Sequence, residues 1–229
     1  MRYSLKLPVM LFVGLAMLLA ACGVPVTESP HAAAVTLPAS SDGSTRITGR
    51  IADYDGPSGT VDAQQTVYGT EYVFAEGTIG ADGQLAIDLL VPPRERLWQV
   101  KDAWADSSID VTASNPNARV LVLYTFNLYA GRQTPFGYVF EDNSHDPDAD
   151  VYEPEVGDRW TGYIYSSEPT RVRINHAYGD GNRYQADLNL GRGWQRIVTE
   201  VIRVETGFAL WRDTVDLSTA VPWQWVSLD

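Results

Sequence analysis

Residues 171–215 read RVRINHAYGDGNRYQADLNLGRGWQRIVTEVIRVETGFALWRDTV. Within this run, Arg171 to Tyr178, Arg183 to Leu190, Trp194 to Glu205 and Phe208 to Val215 read as successive β-strands. The joints are Gly179-Asp180-Gly181-Asn182, Gly191-Arg192-Gly193 and Thr206-Gly207. Links this short predict antiparallel neighbours. Partway along Trp194 to Glu205 the alternation changes phase, which predicts a β-bulge or a strand bent between sheets. No segment shows a sustained period of 3.6, and no repeat of fixed length is present. The fold class is therefore all-β and sandwich-like.

The same grammar extends outward. Trp160 to Tyr165 precedes the run as a further strand, and Trp223-Gln224-Trp225-Val226 closes the chain. Arg119 to Tyr129 is nearly continuous apolar, which predicts one central strand buried on both faces, with Phe136 to Glu141 as its hairpin partner. Further upstream, Arg46 to Ile51 alternates and Val67 to Ile79 is rich in β-branched and aromatic residues. Asp82-Gly83 is a turn signal followed by Leu85, Ile87 and Leu89 at period two. Pro92-Pro93 ends that run, and Glu95 to Asp106 reads as a short helix or a packed loop. The expected organisation is a small β-module over 45–115 followed by a larger antiparallel β-domain over 116–229.

The pattern Gly77-Thr78-Ile79 to Asp82 through Leu89 resembles the closing hairpin of small immunoglobulin-like or prealbumin-like modules on bacterial surfaces. The stretch Tyr184 to Leu190 with Gly193-Trp194, taken with Trp223-Gln224-Trp225, is similar to a group of uncharacterised bacterial envelope lipoproteins. That resemblance implies a small β-module joined to a second β-domain, and it brings no activity with it.

The N-terminus carries a different signal. Arg2 and Lys6 are followed by an uncharged run from Leu7 to Ala20, shorter than the roughly 20 residues needed to span a bilayer. A cleaved secretory signal over 1–21 is the reading. Leu19-Ala20-Ala21-Cys22 resembles the lipobox of bacterial lipoproteins, which implies a diacylglycerol on the Cys22 thiol and cleavage just before it. Two or three acyl chains, each worth about 0.8 kcal/mol per buried CH₂, make such an attachment effectively permanent. Cys22 is the single cysteine of the chain, so no internal disulfide can form. Residues 22–44, with Pro25, Pro30 and Pro38 among small residues, read as a flexible tether. Gly23 stands where Asp would act as an inner-membrane retention signal, which favours an outer membrane where the host has one.

Charge narrows the partners. Removing residues 1–21 leaves 208 of the 229, with 15 basic against 29 acidic side chains and a formal charge of −14. Such a chain repels nucleic acid and anionic lipid headgroups, so both are poor candidate partners.

Three constellations are candidates for chemistry. Glu141 to Asp158 holds eight carboxylates and no Lys or Arg. Asp146, Asp148, Asp150 and Glu153 are its candidate calcium ligands, since oxygen donors are what that ion takes. The EF-hand pattern fails, because Val151 stands where the sharp-turn glycine belongs and Gly157 where the closing Glu does. A solvated acidic loop is the bland alternative. Trp223 and Trp225 share a face of a strand and form a candidate stacking platform for cell-wall glycan, against the commoner role of aromatics as core. The three histidines cannot build a three-His zinc site, because His31 lies in the tether. His145 pairs with Asp146 as a solvated neighbour, and His176, in phase with Val172 and Ile174, reads as a buried, hydrogen-bonded residue. No G-x-S-x-G, H-E-x-x-H, C-x-x-C or phosphate loop is present, so no catalytic residue is assigned. The expected protein is a lipid-anchored envelope lipoprotein with a non-catalytic structural or ligand-binding β ectodomain. The alternatives are a carbohydrate-binding or carbohydrate-active surface protein and a calcium-dependent adhesion module.

Overall fold

A computed structural model describes residues 37–228 except 42, 68, 105–108, 132–133, 144–152, 179–180, 206–207 and 217–219. The first four strands are β1 (Thr45–Arg50), β2 (Gly59–Val67), β3 (Thr70–Ile79) and β4 (Gln84–Leu89). A 3₁₀ turn at Arg94–Arg96, β5 (Trp98–Gln99), the single-turn helix α1 (Val100–Ala103) and β6 (Val111–Ala113) follow. Then come β7 (Arg119–Leu123), β8 (Phe126–Tyr129), β9 (Gly137–Glu141) and β10 (Arg159–Ser166). The chain ends with β11 (Thr170–Ala177), β12 (Arg183–Leu190), β13 (Gly193–Glu205), β14 (Phe208–Val215) and β15 (Trp223–Ser227). Two curled sheets result, ordered β1-β4-β3-β2-β8-β9-β15 and β5-β7-β10-β13-β14-β12-β11-β6. The fold is all-β and sandwich-like.

The sheets pack through one shared core. Phe74, Ile87, Leu89, Leu128 and Val139 of the first meet Leu121, Leu123, Tyr163, Tyr165 and Trp194 of the second. Side chains of this size stabilise by about 1.5–3 kcal/mol each when fully buried. The second sheet curls over a core of its own. Val120, Ile164 and Ile197 face Val172, Ile174, Ala186, Leu188 and Leu190, and Val100 of α1 packs against them. Strands β7, β10 and β13 therefore bury both faces, which explains their almost unbroken apolar composition.

Arg119 to Tyr129 is not one strand. The two-faced burial expected of it holds for β7, but the chain leaves the second sheet at Tyr124-Thr125 and continues in the first as β8. The link Gly191-Arg192 also differs from expectation. It does not join neighbours, because β14 lies between β12 and β13 and runs parallel to β12. The pairing of β14 with β12 covers only Arg183 to Ala186, so the far half of β12 has left β14 where the link crosses to β13. The phase change in β13 is a register shift between Val201 and Arg203 against β14. Val67 to Ile79 divides at Gly69, whose φ of +81° suits the β2–β3 turn, and Gly83 (φ +78°) turns β3 into β4.

Each sheet takes strands from both sides of the expected 115/116 junction. β5 and β6 lie in the second sheet, and β8, β9 and β15 complete the first. The hairpin strands β1 to β4 thus draw their core from the second sheet, not from a closed module of their own. A parallel bridge between Ile51 and Trp223 carries the last strand back to the end of β1. A Cβ on Gly49 would stand 2.0 Å from the Trp223 indole nitrogen, so the ring occupies the space that glycine leaves. The described chain is docked before β1 begins: Leu37 packs on the core and its amide donates to the Trp194 carbonyl at 2.9 Å.

Candidate functional site at the seam of the sheets

Two of the chain's passages between the sheets lie side by side. Tyr124-Thr125 crosses from β7 to β8, and an antiparallel bridge joins Asp142, just past β9, to Trp160 on β10. Between these crossings lies an open cleft of about 290 Å³. Three aromatic residues, Tyr124, Phe140 and Trp160, line it together with Thr125, Thr161, Glu141 and Asp142. Gly162 makes room for one wall, because the Tyr124 ring lies 2.7 Å from where a Cβ would be.

Beneath the cleft, on the side facing the first sheet, Glu141 is buried against Arg196. Both Nε (3.1 Å) and Nη2 of Arg196 donate to Glu141 Oε2, and the Tyr163 hydroxyl donates to Oε1. Arg196 Nη2 also reaches Thr161 Oγ1 at 3.0 Å, and Nη1 reaches the Asp216 carbonyl at 3.4 Å. Burial first, and then the Glu141 carboxylate, push the Tyr163 phenol well above its ordinary range. Both carboxylate oxygens are thus occupied, and the group ties β9 of the first sheet to β10 and β13 of the second. A buried pair of this kind specifies an arrangement more than it stabilises one.

On the opposite face of β13, inside the curl of the second sheet, Asp213 is buried with no cation against it among the described residues. Thr199 Oγ1 donates to Oδ1 at 2.6 Å, the Tyr184 hydroxyl donates to Oδ2, and Trp104 Nε1 donates to that hydroxyl at 3.2 Å. Desolvation pushes the Asp213 carboxyl up to about 6, against the two hydroxyl hydrogen bonds that pull it down. Burial and then Asp213 also raise the phenol of Tyr124, although 41% of that residue's surface stays exposed at the cleft. Two buried side-chain atoms in this sheet have no partner among the described residues: Trp211 Nε1 and Gln195 Oε1.

The residues singled out in the sequence are scattered relative to this site. Cys22, His31, His145, Asp146, Asp148 and Asp150 lie outside the described residues, and Glu153 is exposed. Among the described residues no group of three or more His, Cys, Asp or Glu is placed to hold a metal ion. Trp223 is buried, with its ring on Gly49 and 6.0 Å from Phe126, so it presents no open face. Trp225 is half-buried and meets Tyr54 edge to face at 5.1 Å. His176 is half-buried rather than enclosed, because β11 runs beyond the core there, and it meets the Tyr178 ring at 4.5 Å. Glu141 reads in the sequence as the start of a solvated acidic loop, yet it belongs to the core. Its signal was the strict alternation Tyr138, Phe140 outward and Val139, Glu141 inward. Nothing in the spacing marks Asp213, whose neighbours Arg212 and Thr214 are exposed strand residues.

Comparison with family models, with curated proteins and with solved structures returns no match for this chain.

Proposed function

We propose that the chain is a lipid-anchored envelope lipoprotein whose β ectodomain supports structure or binds a ligand without catalysis. The observation that carries this reading is the run Leu19-Ala20-Ala21-Cys22 behind a short charged-then-apolar leader. The stretch from Cys22 to Leu37, where the chain docks, spans at most about 50 Å when extended. Glu141 beneath the cleft is saturated by Arg196 and Tyr163, which suits a structural role for that carboxylate. Cells given labelled palmitate should incorporate it into the wild type and not into a Cys22→Ala variant. Mass spectrometry that finds a mature chain with an unmodified Cys22 thiol would overturn the reading.

One observation favours the ligand-binding form of the proposal. The seam cleft collects Tyr124, Phe140 and Trp160 beside the exposed Thr125, and aromatic faces with a flanking hydroxyl suit a sugar ring. Titration with cell-wall glycan fragments should quench tryptophan fluorescence in the wild type and not in Trp160→Ala. A response that survives Trp160→Ala places any binding elsewhere.

A further inference from the structure

The acidic chain carries its charge unevenly. Across the outer face of the first sheet, Asp62, Glu76 and Asp88 are direct register partners on β2, β3 and β4, and Arg46 of β1 continues the row, paired with Asp88. The outer face of β11, β12 and β14 in the second sheet is the reverse. There Arg183 pairs across to Leu210, which in turn pairs with Arg203, and Arg212 lies two residues along on the same face, opposite Glu200, whose carboxylate Arg159 holds at 2.7 Å. Arg173 is one row further on, opposite Asp187. Arg183, Arg203 and Arg212 are all exposed, Leu210 is half-buried among them, and Val204 keeps 40% of its surface exposed at the end of β13. Asp187 is shared by Arg171 and Arg173, and Glu205 meets Arg203. Neither Arg183 nor Arg212 is in an ion pair among the described residues.

We infer that this arginine face of the second sheet docks on an anionic lipid bilayer, the surface to which the chain is tethered. The inference rests on the anchored reading above. Three guanidiniums around an apolar side chain match phosphate oxygens bidentately while the apolar group meets the interfacial layer. Each basic residue held near an anionic surface adds attraction that a monolayer of zwitterionic lipid does not offer. The acidic row on the first sheet lies on the other packed layer and is repelled, which fixes which side faces down. Net charge therefore misleads here, because the Debye length is about 8 Å at physiological salt and the two faces act separately.

The test uses the acylated protein reconstituted in phosphatidylcholine vesicles, with or without phosphatidylglycerol, and phenylglyoxal labelling read by peptide mass spectrometry. Labelling of Arg183, Arg203 and Arg212 should fall about fivefold or more on the phosphatidylglycerol vesicles, while Arg46 on the first sheet is unchanged. Molar salt should restore labelling. In a variant carrying Arg183→Glu and Arg212→Glu, Arg203 should label equally on both vesicle types. Equal labelling of the wild type on both vesicle types overturns the proposal. So does protection by soluble heparin without protection by phosphatidylglycerol, which would assign the face to a polysaccharide. A chain that carries no acyl group is judged by sedimentation: binding to phosphatidylglycerol vesicles alone sustains the docking face without the anchor, and binding to neither vesicle overturns both.

Discussion

Asp213 holds its proton more tightly in the fold than an unfolded aspartate does, because its charge has only two hydroxyls to meet it. The sign follows. A carboxyl raised from about 3.9 to about 6 contributes stability that is complete below the lower value and is lost as pH rises through the upper one. The melting temperature should therefore fall between about pH 4 and pH 6 from this residue, by an amount equivalent to at most about 3 kcal/mol. Asp213→Asn keeps the shape and removes the proton. Its melting temperature should lose that slope and equal or exceed the wild type at pH 7; an unchanged slope would place the titration on another group. Glu141 and Arg196 give the opposite kind of prediction. Arg196→Met leaves a buried carboxylate without its cation and should cost about 3–5 kcal/mol in denaturant unfolding. Adding Glu141→Leu should recover much of that loss. These residues were hidden in the sequence for a physical reason. Charge patterning reports solvation on average, and one acid folded inward at a strand end is indistinguishable from its solvated neighbours until its partner, 55 residues away, is brought beside it.

At the scale of elements, period-two alternation says which way a side chain points but not which strand lies alongside. Strands from Trp160 onward were legible for that reason, down to the bulge at Val201 to Arg203. The parallel pair of β12 with β14 was not, since a short glycine link normally joins neighbours. Nor was the crossing at Tyr124-Thr125, where an apolar run continues unbroken although its backbone changes sheets. Of the two tryptophans offered as a platform, Trp223 is explained by a residue far upstream. Gly49 vacates the space its indole fills, so Gly49→Ala should displace the ring and destabilise by about 1–3 kcal/mol. A melting temperature within a degree of the wild type would mean that the ring moves aside freely.

For the molecule as a whole, the interleaving of strands decides how it unfolds. Sequence composition suggested two modules meeting near residue 115, and each sheet draws strands from both sides of that point. Calorimetry of the intact folded chain should give a single transition, with van't Hoff and calorimetric enthalpies equal. A fragment ending at Asn115 should lack the near-ultraviolet signal of a fixed aromatic core, because Phe126, Tyr163 and Trp194 are missing from it. A folded fragment would show that β1 to β4 can complete a core unaided.

The bridge from Ile51 to Trp223 has a consequence for biogenesis. Synthesis delivers a polypeptide amino end first, yet β1 is fastened by β15. Until Trp223 has cleared the ribosome, the Gly49 notch stands vacant and the roll stays ajar. Truncation before Trp223 would leave every other strand in place and still release a latchless product, a ready substrate for proteases.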